Sequence, residues 1–504
     1  MSTSPTATRR LQLAAWFPFG RKRQRRRQRV QLVFRHSDWQ TLQDHLFGDT
    51  STEQHAFVFC GVAEHRGWVR LLVRDVVPTP RHGFEVQSGA YLRLDREYHR
   101  QALLRCRDEG LSLIEVHSHP FGSSVAFSGI DRGNDERKFR YVGERIPGIR
   151  HATMVCSPTG AVMAHAWDPA GRCIRRVDEI LVMGGRLERI RPDGRRPGSD
   201  PARNASVRYN RQILAFGAER QHLLSSARVG VVGLSGNGSP LAMLLGRLGV
   251  GRFVLVDPDA VEESNLSRIV GATPRDIGRP KVEVAAREIR RANPDARISA
   301  VRRSVLDPLA AQALKGVDLL VGATDSASSR MAMTVLARRY LVPYLDLGLR
   351  IEGEKGSLAH AFGQVRLAHP DGPCLVCLGG VDPVRARSEL DTPEERALRR
   401  AAGYGTGMVG PVPSIMPLNT TIASLAAWQC IGILTGALAT ADCWHLDLLA
   451  PRLVAIAHPA NEADCVRCGT GGEDALGDLL PWPRWAAESL PANLPLLAET
   501  EVTR

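Results

Sequence analysis

At 504 residues, 43% apolar and 24% charged, the chain has the composition of a soluble globular protein too long for one ordinary core. That excludes a disordered polypeptide and a small disulfide-stapled domain. The net charge of +13 is uneven: residues 1–30 carry nine Arg and Lys and no acid, and subtracting those nine leaves +4 for the rest, which excludes a broadly basic nucleic-acid-binding body.

The arm, residues 1–29, ends in RKRQRRRQR and is predicted to be disordered, with nucleic acid or an anionic surface as its conceivable partners. Its apolar piece LQLAAWFPF is short, broken by proline and followed by the main charge cluster, unlike a secretory signal, so the expected compartment is the cytoplasm. Ten cysteines, four in two CxxC pairs and six scattered, suit that compartment.

Residues 30–183 mix alternating stretches (AFVFCGV, WVRLLVRDVVP, HATMVCSP, AVMAHAWD) with one helical stretch, DREYHRQALLRCRDEG, and predict an α+β unit. Within it, EVHSHPFGSSVAFSGID places His117 and His119 one residue apart, on one face of a strand, with Asp131 close behind. Two imidazoles, a carboxylate and an open position for water are the donor set of a catalytic zinc, which lowers the pKa of its water and polarises a carbonyl. Ser128, three residues before Asp131, is placed to donate to an oxyanion. A proton shuttle is also needed; Glu53, 64 residues before His117, is the choice, with Glu115 and Glu64 as competitors.

Residues 184–206, GGRLERIRPDGRRPGSDPARNAS, have neither helical nor strand period and read as a linker. From residue 207 to 470 the pattern becomes strand, glycine turn, helix, strand (ARVGVVG, LSGNGS, PLAMLLGRLGV, GRFVLVD), and later VDLLVGATD and VPYLDLGL extend it into a mainly parallel, Rossmann-like α/β sheet. Gly233, Gly236 and Gly238 form a loop whose N–H groups and following helix suit a phosphate, although Ser235 replaces the middle glycine of GxGxxG. Asp257, 24 residues after Gly233, ends the next strand, where an acid that binds ribose is expected. Arg268, Lys281 and Asp325 add two cations and a magnesium ligand, more than a dinucleotide site requires and suited to ATP with Mg2+. Cys374, Cys377, Cys465 and Cys468 are the ligand set of a second, structural Zn2+, with 87 residues between the pairs. The uncharged run from Met408 to Ala441 is long enough to span a bilayer, but Gln429 and its Thr and Ser favour a helix buried in a core or dimer interface. The tail, 471–504, carries no motif.

The upstream Glu53, the HSHP of His117 and His119, and the SGID of Ser128 and Asp131 resemble the JAB/MPN (JAMM) metalloproteases. The resemblance implies Glu53 as acid/base, His117, His119 and Asp131 on zinc, Ser128 on the tetrahedral intermediate, and cleavage after the C-terminal glycine of ubiquitin-like proteins. Eight residues separate His119 from Ser128, one more than the family pattern has. RYNRQ, the glycine loop, SNLSR, GRPK and the paired CxxC motifs together resemble the ThiF/MoeB-type adenylyltransferases, the fold at the heart of ubiquitin-activating enzymes. That resemblance implies the glycines on the nucleotide, Asp257 on ribose, Asn265, Arg268 and Lys281 on phosphates, Asp325 on Mg2+, and Arg211 reaching the triphosphate of the neighbouring subunit of a homodimer.

An ionised C-terminal carboxylate needs no general base: it attacks the α-phosphorus once cations screen its approach, releasing pyrophosphate and leaving an acyl-adenylate. Ubiquitin-activating enzymes also carry an acyl-accepting cysteine. Here the loop GYGTGMVGPVPSIMPLN has none, and Cys430 and Cys443 are poorly placed, so activation is expected to end at the adenylate or pass to a thiol on a separate protein. The reading is thus a bacterial-looking fusion, an α+β JAB/MPN-like domain followed by a ThiF/MoeB-type domain, acting on one C-terminus of a small ubiquitin-like or sulfur-carrier protein. Sulfur transfer for cofactor or cysteine synthesis, with a separate sulfur donor, and a non-catalytic carrier-binding scaffold are the alternatives.

Overall fold

A computed structural model describes residues 28–487 except 66, 123, 196–206, 355–356, 393, 396, 399–412, 451 and 458–462. The basic arm up to residue 27, residues 196–206 of the expected linker and the end of the tail lie outside the described residues.

The alternating stretches fold as strands. In chain order the N-terminal lobe contains β1 (Arg29–Arg35), α1 (His36–Gly48), β2 (His55–His65), β3 (Trp68–Pro78), β4 (Phe84–Gln87), β5 (Leu92–Leu94), α2 (Arg96–Glu109), β6 (Ser112–Ser118), α3 (Gly129–Arg145), β7 (His151–Cys156), β8 (Val162–Trp167), β9 (Cys173–Arg176), β10 (Glu179–Met183) and β11 (Leu187–Ile190). Nine strands form one sheet in the order β11-β10-β1-β3-β2-β6-β7-β8-β9, and β4 and β5 make a separate hairpin. The central strands β2 and β6 run antiparallel, with His55 opposite His117. The single helix read from the sequence is α2, capped by Asp95, whose carboxylate accepts the Glu97 and Tyr98 N–H groups, and closed by Gly110 at φ 71°. The structure adds α1 and α3. Helix α3 escapes a periodicity reading because GIDRGNDERKFRYVGER buries few apolar residues, chiefly Phe139 and Val142 against Trp167.

The second lobe contains α4 (Asn210–Phe216), α5 (Ala218–Ser226), β12 (Arg228–Val232), α6 (Gly238–Leu248), β13 (Arg252–Val256), α7 (Lys281–Ala292), β14 (Arg297–Val301), α8 (Pro308–Leu314), β15 (Leu319–Gly322), α9 (Ala327–Arg339), β16 (Tyr344–Glu354), β17 (Ser357–Ala368), α10 (Pro383–Ser388), α11 (Met416–Thr435), β18 (Cys443–Asp447) and β19 (Arg452–Ile456). Its sheet has the order β14-β13-β12-β15-β16-β17-β18-β19, parallel from β14 to β16 and antiparallel beyond. Buried on both faces, β12, β13 and β15 read as unbroken apolar runs, as parallel strands under helices must. The uncharged stretch is α11, long and apolar enough to cross a membrane by composition, yet here packed into the core through Ile422, Ala426, Cys430 and Ile433. Gln429, fully buried, is satisfied by the backbone of Ala441.

One expectation about the joints needs correction. Residues 187–190, read as linker, are a strand paired with β10. They show no period because Arg189 turns towards a buried carboxylate, hydrogen-bonding Asp318 at 2.6 Å, where an apolar residue would signal a strand. The start of the tail has structure too. Asp474 pairs with Arg35 and Arg338, Asp478 accepts from Lys315, Tyr340 and the Glu64 N–H, and Gly477 bridges Val62. The lobes share core as well, since Val33, Leu72, Leu181 and Met183 belong to the same apolar cluster as Val229 and Leu319.

Candidate metal centres and nucleotide site

Strand β6 points Glu115 and His117 to one face, and His119 follows just past its end, its N–H donated to the Cys156 carbonyl at 2.8 Å. The fourth side chain arrives on α3. Ser128 caps that helix: its Oγ accepts the Asp131 N–H at 3.1 Å, and the Asp131 carboxylate accepts the Ser128 N–H at 2.8 Å. This reciprocal pair fixes Asp131 in the first turn, and in the loop before it Val125 and Phe127 are buried.

The imidazole nitrogens of His117 and His119 and an Asp131 oxygen lie within 4.8 Å of one another. Burial depresses both imidazoles, His117 to about 4, so both are neutral at pH 7 as metal ligation requires. Against the upward push of burial, the Ser128 hydrogen bonds and the two imidazoles hold Asp131 below its ordinary value. Two nitrogens and one oxygen, with an open side, fit a catalytic zinc.

A cleft of about 300 Å³ opens over these ligands, lined also by Glu53, Ser128, Phe121 and the β4–β5 turn. Glu53 is 8% exposed, and its Oε1 lies 3.9 Å from His119 Nε2. Burial, then the Asp131 charge, push its pKa up to about 7. Its backbone is gripped by the hairpin: the N–H donates to Ser88 O at 2.8 Å, and the carbonyl accepts from Gln87 Nε2 at 2.9 Å. The competing glutamates are engaged elsewhere. Glu115 is buried between Lys138 (2.6 Å) and His99 (3.1 Å), and half-exposed Glu64 pairs with Arg150.

In the second lobe, the loop after β12, Asp257 after β13 and Asp325 after β15 lie at the carboxyl ends of parallel neighbours, where α/β sheets bind ligands. Gly233 has φ +86°, and a Cβ at Gly238 would stand 1.8 Å from the Gly233 carbonyl oxygen. Only glycine permits that approach of helix to strand. A Cβ at Gly236 would collide with Asn419 Nδ2 on α11 at 2.0 Å, so the loop is seated on that helix. Ser235, in the usual glycine's place, accepts the Ser239 N–H through its carbonyl.

Asp257 is buried and accepts the Leu234 N–H at 2.7 Å and the Asp259 N–H at 2.9 Å, which ties the glycine loop to the neighbouring strand. Lys281, at the start of α7, donates to Asp259 at 2.8 Å. Asn265 is buried and accepts the Glu262 N–H; Arg268 donates to Ser264 O at 3.0 Å. Asp325 is exposed just past β15, and Arg211 is exposed on α4 near Leu214, itself 80% exposed.

The four cysteines of the CxxC pairs converge, with Sγ–Sγ distances of 3.8 Å for Cys374–Cys377, 3.8 Å for Cys374–Cys465 and 3.6 Å for Cys377–Cys468. Disulfide sulfurs are about 2.05 Å apart, whereas four thiolates at about 2.3 Å from a tetrahedral zinc are about 3.8 Å apart. The cluster fits zinc. Of the other cysteines, Cys430 and Cys443 are buried with pKa pushed up by burial, Cys430 to about 12, and neither is an available nucleophile.

Sequence reasoning missed Gln87 and Ser88, which grip Glu53 from a hairpin with no motif, and Lys138. The signal for Lys138 was its spacing, seven residues and about two helical turns after Asp131.

Residues 209–467, just over half of the chain, match the ThiF family. The SAMP-activating enzyme E1 of Haloferax volcanii is 30% identical over 54% of this chain and 92% of its own length. The sulfur carrier protein ThiS adenylyltransferase of Escherichia coli is 29% identical over 46% of this chain and 82% of its own. The adenylyltransferase and sulfurtransferase MOCS3-1 of Zea mays is 31% identical over 54% of this chain; the chain spans about half, 53%, of that relative's length. The glycine loop, the acids at the carboxyl ends of the parallel strands and the cysteine centre all fall within the matched segment, and the chain belongs to the ThiF family.

Proposed function

We propose that the second lobe is an adenylyltransferase that joins AMP to the C-terminal glycine of a small ubiquitin-like or sulfur-carrier protein. The observation that carries this is the glycine loop, Asp257 and Asp325 brought to one edge of a parallel sheet within the segment matched to the ThiF family. The loop N–H groups and the start of α6 receive phosphate, Asp257 the ribose, and Asn265, Arg268 and Lys281 the remaining phosphates, with Arg211 contributed across a homodimer. Mg2+, held by Asp325, supplies charge neutralisation of the triphosphate. The carrier carboxylate attacks the α-phosphorus, the bond to the pyrophosphate leaving group breaks, and acyl-adenylate remains.

With Cys430 and Cys443 buried, the acyl group leaves this domain as the adenylate, for a thiol or sulfur donor on another protein. Relatives named as sulfurtransferases favour sulfur as a second reading of that step. The test is ATP–pyrophosphate exchange with purified carriers ending in Gly-Gly: exchange that is lost in Asp325→Ala supports the reading, and none with any such carrier overturns it. A thiocarboxylate product selects the sulfur branch.

For the N-terminal lobe we propose a JAMM-type hydrolase acting at the same C-terminus, supported by the convergence of His117, His119, Asp131 and Glu53 in one cleft. Zinc, when bound, supplies a water of lowered pKa and polarises the scissile carbonyl. Glu53, beside His119, moves the proton to the leaving amine, and the Ser128 hydroxyl donates to the oxygen that gains charge. A carrier bearing a C-terminal extension should be trimmed to its glycine, and Glu53→Gln should abolish trimming while zinc stays bound; trimming that persists in Glu53→Gln refutes this assignment.

A further inference from the structure

The cleft's ligands come from two elements that must hold their spacing: β6 brings His117 and His119, α3 brings Asp131. Between them runs a loop held down by few buried side chains. Among the described residues, one hydrogen bond joins the side chains of strand and helix directly. Glu115, two residues before His117, accepts Lys138 Nζ at 2.6 Å, and Lys138 stands seven residues after Asp131.

Two residues along a strand return to the same face, and seven along a helix return to within about 20° of it. The Glu115–Lys138 pair is therefore a second rung beneath the first, the one in which His117 and Asp131 face each other. The rung is braced at both ends: the other Glu115 oxygen takes His99 Nε2 from α2 at 3.1 Å, and Asp135 Oδ1 holds Lys138 from one turn back at 3.1 Å. Glu115 is 7% exposed.

In this pair Glu115 is buried and Lys138 partly so; such ion pairs often give no stability advantage over a well-packed apolar pair, and in some folds they serve instead to fix register. Groups behind metal ligands set ligand geometry and affinity in the same way. We propose that Glu115 and Lys138 are positioning residues of the histidine cleft, setting the distance of α3 from β6 so that Asp131 meets His117 and His119 on one divalent ion. The proposal rests on the reading of that cleft as a metal site.

The test is zinc stoichiometry and affinity by chelator competition on the full chain. Wild type should hold two equivalents, one lost in His117→Ala and one belonging to the cysteines. In Glu115→Leu/Lys138→Met, whose apolar pair keeps the packing, the His117-dependent equivalent should weaken by at least about tenfold, while the cysteine equivalent stays bound and the melting temperature of the chain lacking only the cleft ion stays as in wild type. Lys138→Arg, which still reaches the carboxylate, should return affinity to near wild type, and it serves as the probe against Lys138→Gln if the double variant folds poorly. Affinity unchanged in both the double variant and Lys138→Gln overturns the proposal. Absence of any His117-dependent equivalent in wild type overturns the metal reading itself, a distinguishable failure.

Discussion

The histidine cleft and the cysteine centre each gather metal donors, yet they are embedded differently. The cleft takes its three ligands from fifteen residues, 117–131, and closes locally through a helix cap. The cysteine centre draws its pairs from segments 87 residues apart, and both segments continue into the joint between the lobes. Just before the first pair, Asp371 accepts the N–H groups of His36 and Ser37 and so caps α1 of the other lobe. Just after the second, Asp474 and Asp478 meet Arg35 and the Glu64 N–H. A site assembled locally can be lost without disturbing its surroundings, whereas one that closes long loops holds up whatever its flanks touch.

The cysteine centre therefore offers the largest expected effect. Structural zinc sites contribute about 10–16 kcal/mol of apparent binding free energy, which in such proteins is folding free energy. Cys377→Ser/Cys468→Ser should lose cooperative melting near the wild-type temperature and open the segment 463–478 to protease. If the double variant melts within a few degrees of wild type with both lobes still protected, the flanks hold the joint without the metal and the contrast with the cleft disappears.

Next in size is the charge at the centre of the joint. Asp318, 4% exposed, accepts from Arg189 at 2.6 Å and from the Arg228 N–H at 2.9 Å, with Arg70 at 3.4 Å. Arg189 is the stronger partner. Burial pulls Arg70 down to about 10, while Arg70 also donates to the carbonyls of Gly316 and Val317. Asp318→Asn leaves buried Arg70 without a paired carboxylate and Arg189 with Glu179 alone, and should cost about 3 kcal/mol. Although burial opposes it, the arginines hold the Asp318 pKa below its ordinary value. The folded state then binds this proton less readily than the unfolded chain, and the stabilisation is full above the unfolded pKa of about 3.9 and lost as pH falls through the folded value. Urea midpoints of wild type and Asp318→Asn should differ most at neutral pH and converge below about pH 4; a gap that stays constant down to pH 3 removes Asp318 from the acid limb.

The joint also marks where the sequence stops being legible. Strands β2, β3, β7 and β8 announce themselves because their inward residues are apolar, and β12, β13 and β15 because both faces are covered. The glycine loop, the paired cysteines and HSHP with SGID are readable because their chemistry fixes residue type and spacing together. Strand β11 and residues 473–478 are not, since their partners are charges far away in sequence: Arg189, Asp474 and Asp478 read as solvent-facing residues until the opposing Asp318, Arg338 and Lys315 are placed. Lys138 hides in the same way, a partly buried cation on an otherwise polar helix whose partner Glu115 lies 23 residues earlier.

The smallest expected effect sharpens the contrast from the other side. In His117→Ala/His119→Ala one zinc equivalent should vanish, yet with the cysteine zinc in place the variant's unfolding free energy should lie within about 1 kcal/mol of wild type lacking the cleft ion, or slightly above it. The two rings lie 5.1 Å apart, centroid to centroid, and burial lowers both imidazoles below their ordinary value, so neither contributes a stabilising charge at neutral pH to the fold without the cleft ion. The Ser128–Asp131 cap and the Glu115–Lys138 pair, which hold α3 in place, survive the substitutions. A loss of several kcal/mol, read from urea unfolding of protein that keeps the cysteine zinc and lacks only the cleft ion, would instead make the imidazoles part of the core, and the cleft would then resemble the cysteine centre in bearing structure.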